Sequence, residues 1–418
     1  MEELNNLARD KNKLLLVAGV LHSSRAFLGP EVLHIDLTNH CNFNCLACWC
    51  RSPLLGEKAM PEEERKLTLP FDLLKGVIDD LDEMGGLRQV KLVGGGEPFM
   101  HPDIFKIVEY IKSKDKSIEI DINTNFSLVD KKDAQRLLDL GVDSLTVSLW
   151  AGSPKAYVLL HPNQTEETFY RIKDVLKFIS ERKMESKSSK PRIINHNVIF
   201  KTNYNDVENM LKFALEVGVD DIQFVPVDPV KGKTEVLLPN EEERKELLDS
   251  LNKIRRNYSG ESFRYTSEDN KSLILSDFNG FIRRIERLNA NTGAYDEDVV
   301  DKVPCYVGWL FARIMTTGNV VPCCKGHRMH MGNIHKNRFK DIWFSPVYNE
   351  FRYNGLNLSK HDPYFSKIGN EASERTGCYN CDNLWQNVPL HKRIASFKNE
   401  NSQLVSFCGP LLKHLFQK

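Results

Sequence analysis

From about residue 30 to 230 the chain alternates short β-rich runs with longer stretches of helical periodicity, and this alternation limits the available folds more than any other feature. The strand-like runs are VLHIDL from Val32, RQVKLVG from Arg88, SIEIDI from Ser117, SLTVSL from Ser144, IINHNVIF from Ile193 and DDIQFVPV from Asp220. Between them lie amphipathic segments such as DIFKIVEYIK, which sets Ile104, Ile107, Val108 and Ile111 on one helical face. Six such repeats predict an α/β fold with a parallel sheet and helices outside, either an open sheet or a barrel of fewer than eight strands. Functional groups in both architectures gather where the C-terminal ends of the strands meet their loops.

That rim is where the unusual residues fall. HCNFNCLACWC follows the first run, GGGEP the second and NTN the third, while Ser148 ends the fourth. Cys41, Cys45 and Cys48 are spaced C-x3-C-x2-C, close enough to converge on one metal centre. Three thiolates leave one iron of a four-iron cluster open to an exogenous ligand. A zinc site completed by Cys50 or His40 is the alternative that the loop alone leaves standing.

Beyond residue 230 the alternation stops. Asn240 and Glu243 have capping-box spacing ahead of a stripe of Leu247, Leu248, Leu251 and Ile254, which predicts a helix. The expected organisation is an N-terminal helical extension (1–30), a core (31–230), a helical linker (231–302), a cysteine-bearing module (303–390) and a helical tail (391–418). In that module Cys305, Cys323, Cys378 and Cys381 supply four thiolates in two pairs, enough to close a site, as a cluster or as a zinc ribbon. Tyr306, Trp309 and Phe311 read as its core. CCKGHRMHMGNIHK brings Lys325, His327, Arg328, His330 and His335 near the second set, as an anion-binding patch or a solvated hairpin.

Lys plus Arg and Asp plus Glu number 57 each, so no overall field gathers nucleic acid or an anionic membrane. The apolar run at residues 14–21 is far shorter than the ~20 residues a membrane span needs. A cytoplasmic protein is expected, and clustered cysteines in such a chain point to metal before disulfides.

Taken together, the cysteine loop and the rim motifs resemble the radical SAM superfamily. The resemblance implies a partial (β/α)6 TIM-like barrel in which Cys41, Cys45 and Cys48 hold a [4Fe-4S] cluster and S-adenosylmethionine chelates its open iron. Gly95, Gly96 and Glu97 match the family's GGE stretch, where glycines admit the methionine moiety and the carboxylate takes an ammonium hydrogen bond. Asn123, Asn125 and Ser148 stand where the family binds the ribose hydroxyls or the methionine carboxylate. Ala47 departs from the family's frequent aromatic residue before the third cysteine, with Trp49 as the alternative adenine contact.

The implied chemistry is reductive cleavage of S-adenosylmethionine to a 5'-deoxyadenosyl radical that abstracts a substrate hydrogen atom, with flavodoxin or ferredoxin as the electron donor. The spacing of Cys305, Gly318 and Cys323, with the later GNI and DIW, resembles a SPASM/twitch extension. It implies a smaller C-terminal α+β domain of the short twitch form, in which Cys305, Cys323, Cys378 and Cys381 bind one auxiliary [4Fe-4S] cluster.

A closed redox cluster suits an electron acceptor, so the expected reaction is oxidation of a small, sugar-like alcohol, as in twitch dehydrogenases of aminoglycoside biosynthesis. Modification of a ribosomally made peptide is the second reading, lowered by the forty residues before Cys41. A non-catalytic iron–sulfur or zinc protein is the third. Cys50, Cys324 and Cys408 read as buried thiols; Cys408 is the candidate hydrogen-atom donor if the enzyme is an epimerase.

Overall fold

The computed structural model describes residues 2–256, 258–259, 264–266, 272–369 and 378–400. Cys408 lies outside the described residues. The chain divides into two compact units, one formed by residues 36–68 and 91–296, the other by 1–35, 69–90 and 297–418.

All six expected strands are present: β1 (Val32–Asp36), β2 (Gln89–Val93), β3 (Glu119–Thr124), β4 (Ser144–Ser148), β5 (Arg192–Ile199) and β6 (Asp221–Pro226). They are followed by β7 (Tyr258–Ser259), β8 (Arg264–Thr266), β9 (Ser272–Ser276), β10 (Phe311–Ile314), β11 (Asn319–Val321) and β12 (Gly332–Asn333).

In the first unit the sheet runs β2-β3-β4-β5-β6-β9-β8-β7, parallel from β3 to β9. Side chains on one face, among them Ile120, Ile122, Leu145, Val147, Ile193, Ile222 and Phe224, are buried. They pack as the helix-covered side of a parallel sheet. Helices Ile104–Lys114, Glu166–Ser186 and Val207–Val217 bury one apolar stripe each, Ile104, Ile107, Val108 and Ile111 forming the first as expected. The opposite face carries Asp121, Asn123, Thr146, Ser148, His196 and Gln223, brought side by side by the registers Asn123↔Thr146, Ser148↔His196 and His196↔Gln223.

Segment 231–302 differs from a helical linker. Helix Glu241–Arg256 has the expected capping box, with Asn240 N–H donating to Glu243 Oε2 at 2.8 Å and Glu243 N–H to Asn240 Oδ1 at 2.9 Å. Yet Ser272–Ser276 then adds a parallel strand beside β6, pairing Asp221 with Ile274. Five residues of alternation between polar stretches were too short a signal to separate from a loop.

The second unit holds the order β12-β11-β10-β1, with β1 and β10 parallel. Residues 1–30, expected as an N-terminal helical extension, hold helix Glu2–His22 and belong to this unit: Trp309 Nε1–H donates to Arg25 O at 2.8 Å and Trp343 Nε1–H to Leu28 O at 2.7 Å. Helix Phe71–Met84 also joins it, through Asp80, which accepts from Arg338 Nε at 2.9 Å. The helix that ends the described chain runs Leu384–Glu400, straight through the boundary expected at 390. Tyr306, Trp309 and Phe311 are core residues, as expected.

Arg352 organises this unit from the inside. Fully buried on helix Pro346–Asn357, it donates to Gly308 O at 2.8 Å, Asn349 Oδ1 at 3.0 Å and Trp343 O at 2.7 Å. Its guanidinium lies 4.7 Å from the Trp343 ring and 5.0 Å from the Tyr348 ring. The same helix fixes Cys305, whose N–H donates to Gly355 O at 2.8 Å; a Cβ on Gly355 would stand 2.7 Å from Cys305 O. An Arg352→Ala substitution leaves two buried carbonyls without donors and is expected to cost about 3 kcal/mol in chemical denaturation. A loss below about 1 kcal/mol would mean that the unit does not depend on this side chain.

Candidate functional site

The cysteine loop after β1 and the glycine loop after β2 are held face to face by their backbones. Glu97 N–H donates to His40 O at 2.7 Å. A Cβ on Gly96 would lie 2.1 Å from His40 O, and one on Gly95 would lie 2.8 Å from Asn39 Oδ1. At Gly96 no side chain fits against that backbone, whereas the atoms nearest Gly95 are the side-chain ends of Met60 and Asn39. Gly96 is therefore needed first for contact between the two loops, a reason that the ligand-centred reading of GGE did not contain.

Glu97 completes the junction. Its buried carboxylate accepts from Thr124 Oγ1 at 2.6 Å and Phe99 N at 3.1 Å through Oε1, and from Asn125 N at 2.7 Å through Oε2. Burial pushes its pKa up to about 7, against the pull of those three donors. Glu97 thus splints the glycine loop to the end of β3, and any ammonium group it takes comes in addition to that task.

Asn125 links the same strand end to the cysteine loop: its Nδ2 donates to Asn42 Oδ1 at 3.0 Å, and Asn42 Nδ2 donates to Ser127 Oγ at 2.8 Å. Asn123 and Ser148 meet directly, Ser148 Oγ donating to Asn123 Oδ1 at 3.2 Å. Gly95, Gly96, Glu97 and Asn125 are thus joined to the cysteine loop through backbone and side-chain contacts, and Asn123 and Ser148 form an adjacent pair.

The four thiols of the loop are not equivalent. Burial pushes Cys41 up to about 11; it also pushes Cys45 well above the usual thiol value, with the charges of Cys48 and Cys41 adding to it. Cys48 goes the other way, down to about 7, chiefly through the hydrogen bond from Cys50 and against its own burial. Cys50 is raised by that same bond, then by burial. Its Sγ lies 3.7 Å from Cys48 Sγ and 3.5 Å from Gly95 O, and the residue is almost fully buried. Arg51, next in sequence, donates to Asn39 O and lowers both Cys41 and Cys48 by its charge.

His161 was not foreseen. Its Nδ1 lies 3.1 Å from Cys45 Sγ and its Nε2 3.1 Å from Leu149 O, among Phe43, Trp150 and Tyr157. The sequence carries little signal for it, since a lone histidine 116 positions from its cysteine is joined to it only by folding.

In the second unit Cys305, Cys323, Cys378 and Cys381 line one apolar cavity, walled by Val300, Phe351, Phe365 and Leu384. Burial raises all four thiols, and for Cys323, Cys378 and Cys381 the neighbouring cysteines add to it. Lys325 and Lys360 line the same cavity and lower Cys378 by their charge. Gly318, at φ +79°, turns β10 into β11 where a Cβ would lie 2.3 Å from the His335 ring.

The residues of the basic hairpin differ in their partners. Arg328 donates to Gly369 O at 3.0 Å, and burial, helped by Arg313 and Arg328, pushes His327 down to about 4. Cys324 lies beside the set, its Sγ 3.9 Å from His34 Nδ1.

Among the described residues no three His, Cys, Asp or Glu side chains converge on a point that a single ion would fill. Three grouped thiols under a glycine-lined polar rim fit a cluster with an exchangeable position; four thiols lining one apolar cavity fit a closed one.

Comparison with known proteins agrees with this division. The model of the radical SAM superfamily matches residues 35–214, and that of the SPASM iron–sulfur cluster-binding domain matches residues 305–382. A tungsten-containing aldehyde ferredoxin oxidoreductase cofactor-modifying protein of Pyrococcus furiosus is 24% identical over 327 residues, 77% of this chain and 83% of that protein. Streptococcus suis SuiB bound to S-adenosylmethionine superposes with a TM-score of 0.56 at 18% identity, covering 85% of this chain and 74% of that one. The anSMEcpe structure with bound AdoMet and Cp18Cys peptide gives 0.55 at 14% identity, covering 92% and 100%. At these identities the structural likeness speaks for the fold alone. Among the described residues no helix is long and apolar enough to cross a membrane.

Two substitutions separate packing from ligation. Gly96→Ala is expected to abolish iron retention after anaerobic reconstitution at the first site, although it removes no ligand. Cys50→Ser is expected to keep the full iron content and change the visible spectrum only slightly. Loss of iron in Cys50→Ser equal to that in Cys48→Ser would make Cys50 a ligand.

Proposed function

The chain belongs to the radical SAM superfamily and carries a C-terminal SPASM iron–sulfur cluster-binding domain, and from this premise we propose that it oxidises a small, polar, alcohol-bearing substrate in a dehydrogenase-type reaction. The observation that carries this reading is the presence in one chain of two differently built thiol sets, one of three with a polar rim and one of four closed in an apolar cavity. Cys41, Cys45 and Cys48 hold the first cluster; Cys305, Cys323, Cys378 and Cys381 hold a single auxiliary one.

When bound, these groups supply one-electron reduction of S-adenosylmethionine, hydrogen-atom abstraction and an acceptor for the electron that leaves the substrate. The chain's own residues do the rest. Gly95 and Gly96 hold the rim against the cysteine loop, and Glu97 fixes the end of β3 beside it. Asn123, Asn125 and Ser148 present amide and hydroxyl groups to the ribose and the methionine carboxylate. Cys50 stays outside the ligand set and leaves the fourth position free.

The Pyrococcus furiosus relative is named for modifying a cofactor, which supports a small substrate. Peptide modification is the competing reading, brought by the fold shared with a structure that holds a peptide. A flavodoxin or ferredoxin is the proposed reductant.

The test is anaerobic turnover with dithionite and S-adenosylmethionine, with 5'-deoxyadenosine quantified, followed by incubation with deuterated alcohols. The wild type is expected to form deoxyadenosine, to take up deuterium from the carbinol carbon and to release a carbonyl product. In the Cys378→Ala/Cys381→Ala double variant deoxyadenosine should persist while the carbonyl product is lost by at least about tenfold. Unchanged carbonyl formation in that variant would contradict the role assigned to the auxiliary site.

A further inference from the structure

One layer of the inner sheet face is unaccounted for by the cofactor rim. Just below Asn123 and Ser148, Lys91 Nζ of β2 lies 2.8 Å from Asp121 Oδ2 of β3. Thr146 Oγ1 of β4 donates to the same carboxylate, at 3.0 Å to Oδ1 and 3.2 Å to Oδ2. His196 of β5 shares this face through its register with Ser148, and its ring feels the charges of both Lys91 and Asp121. Among the described residues its Nδ1 is buried without a hydrogen-bond partner.

We propose that Lys91, Asp121 and His196 form the floor of a binding site for an uncharged, polyhydroxylated substrate, with His196 Nδ1 bonded to one of its hydroxyls. This deepens, and rests on, the reading of a small alcohol substrate given above. The orphaned nitrogen is the observation that asks for a ligand, because buried polar atoms in folded proteins are nearly always paired. A hydroxyl satisfies it in either ring tautomer, donating to the lone pair or accepting from the N–H.

The charges argue for a neutral partner. Lys91 is already matched by Asp121, so it offers ammonium hydrogens but no spare positive charge. His196 is held neutral near pH 7, pushed down to about 4 by burial and then by Lys91, with Asp121 opposing. A phosphate or carboxylate brought to this floor meets the Asp121 carboxylate with no free cation among these three residues to offset it. Hydroxyl groups, which both donate and accept, match the mixture of ammonium, carboxylate, threonine and imidazole.

The probe is myo-inositol, a cyclic polyol, followed by saturation-transfer difference NMR on the anaerobically reconstituted protein with S-adenosylmethionine present. Binding by the wild type is expected, weakened at least about tenfold in His196→Phe and within about threefold of wild type in His196→Asn, whose amide reaches the place of Nδ1. Unchanged S-adenosylmethionine affinity and an unchanged thermal transition certify the fold of each variant. If His196→Phe fails these checks, the Asn variant still decides: binding as tight as wild type supports the floor, and loss equal to full absence of binding overturns it.

No binding by the wild type, equal binding by a folded His196→Phe protein, or displacement by pyrophosphate or a short peptide at lower concentration than by a second polyol would each overturn the proposal. Deoxyadenosine formation and carbonyl product are measured in the same preparation. Polyol binding without a carbonyl product fails the dehydrogenase reading and leaves the floor standing; a carbonyl product from an alcohol without polyol binding does the reverse.

Discussion

The contact between two stretches of backbone, His40 O against the Gly96 α-carbon and Glu97 N–H, is the constraint on which the first site depends. It fixes the loop that carries three thiols against the loop that rims them, with no side chain between. Glu97 extends the lock to β3 by accepting three hydrogen bonds with one buried carboxylate, and Asn125 closes the circuit back to Asn42. A carboxylate so occupied is expensive to bury and rigid once buried. Rigidity of this kind is what the proposed three-thiolate site would need, since its open position would have to keep its shape while an exogenous ligand comes and goes.

The second thiol set solves a different problem. Its four sulfurs line an apolar cavity whose burial raises every one of them, so ionising them there needs a positive charge that, among the described residues, the cavity walls supply only through Lys325 and Lys360. Helix Pro346–Asn357 holds Cys305 by a backbone contact, Cys305 N–H to Gly355 O, in the way that Gly96 and Glu97 serve the first loop, while the Arg352 guanidinium of the same helix ties Gly308 and Trp343.

How much of this was legible follows from what a sequence encodes locally. The six strands and their helices could be read because apolar periodicity survives in the chain as a pattern, and the cysteines, as thiols gathered near one another, because Cys41, Cys45 and Cys48 share one loop and Cys378 and Cys381 another. The capping box at Asn240 and Glu243 was legible for the same reason. What escaped was non-local or brief: the parallel pairing of Ser272–Ser276 with β6, the membership of residues 1–30 and Phe71–Met84 in the second unit, and His161 beside Cys45. The inner-face group of Lys91, Asp121 and His196 was hidden although Asn195, His196 and Asn197 interrupt an apolar strand. Four strands, β2 to β5, must come into register before Lys91, Asp121 and His196 have a common meaning.

The account stands or falls on the first site having one position that the protein does not fill and the second having none. Mössbauer spectroscopy of the protein reconstituted anaerobically with iron-57, before and after addition of S-adenosylmethionine, tests this most directly. The account predicts about eight irons per chain in two four-iron clusters, with the isomer shift of a single iron moving when S-adenosylmethionine is added. A chain that retains only zinc, or iron whose spectrum is indifferent to S-adenosylmethionine, would contradict it.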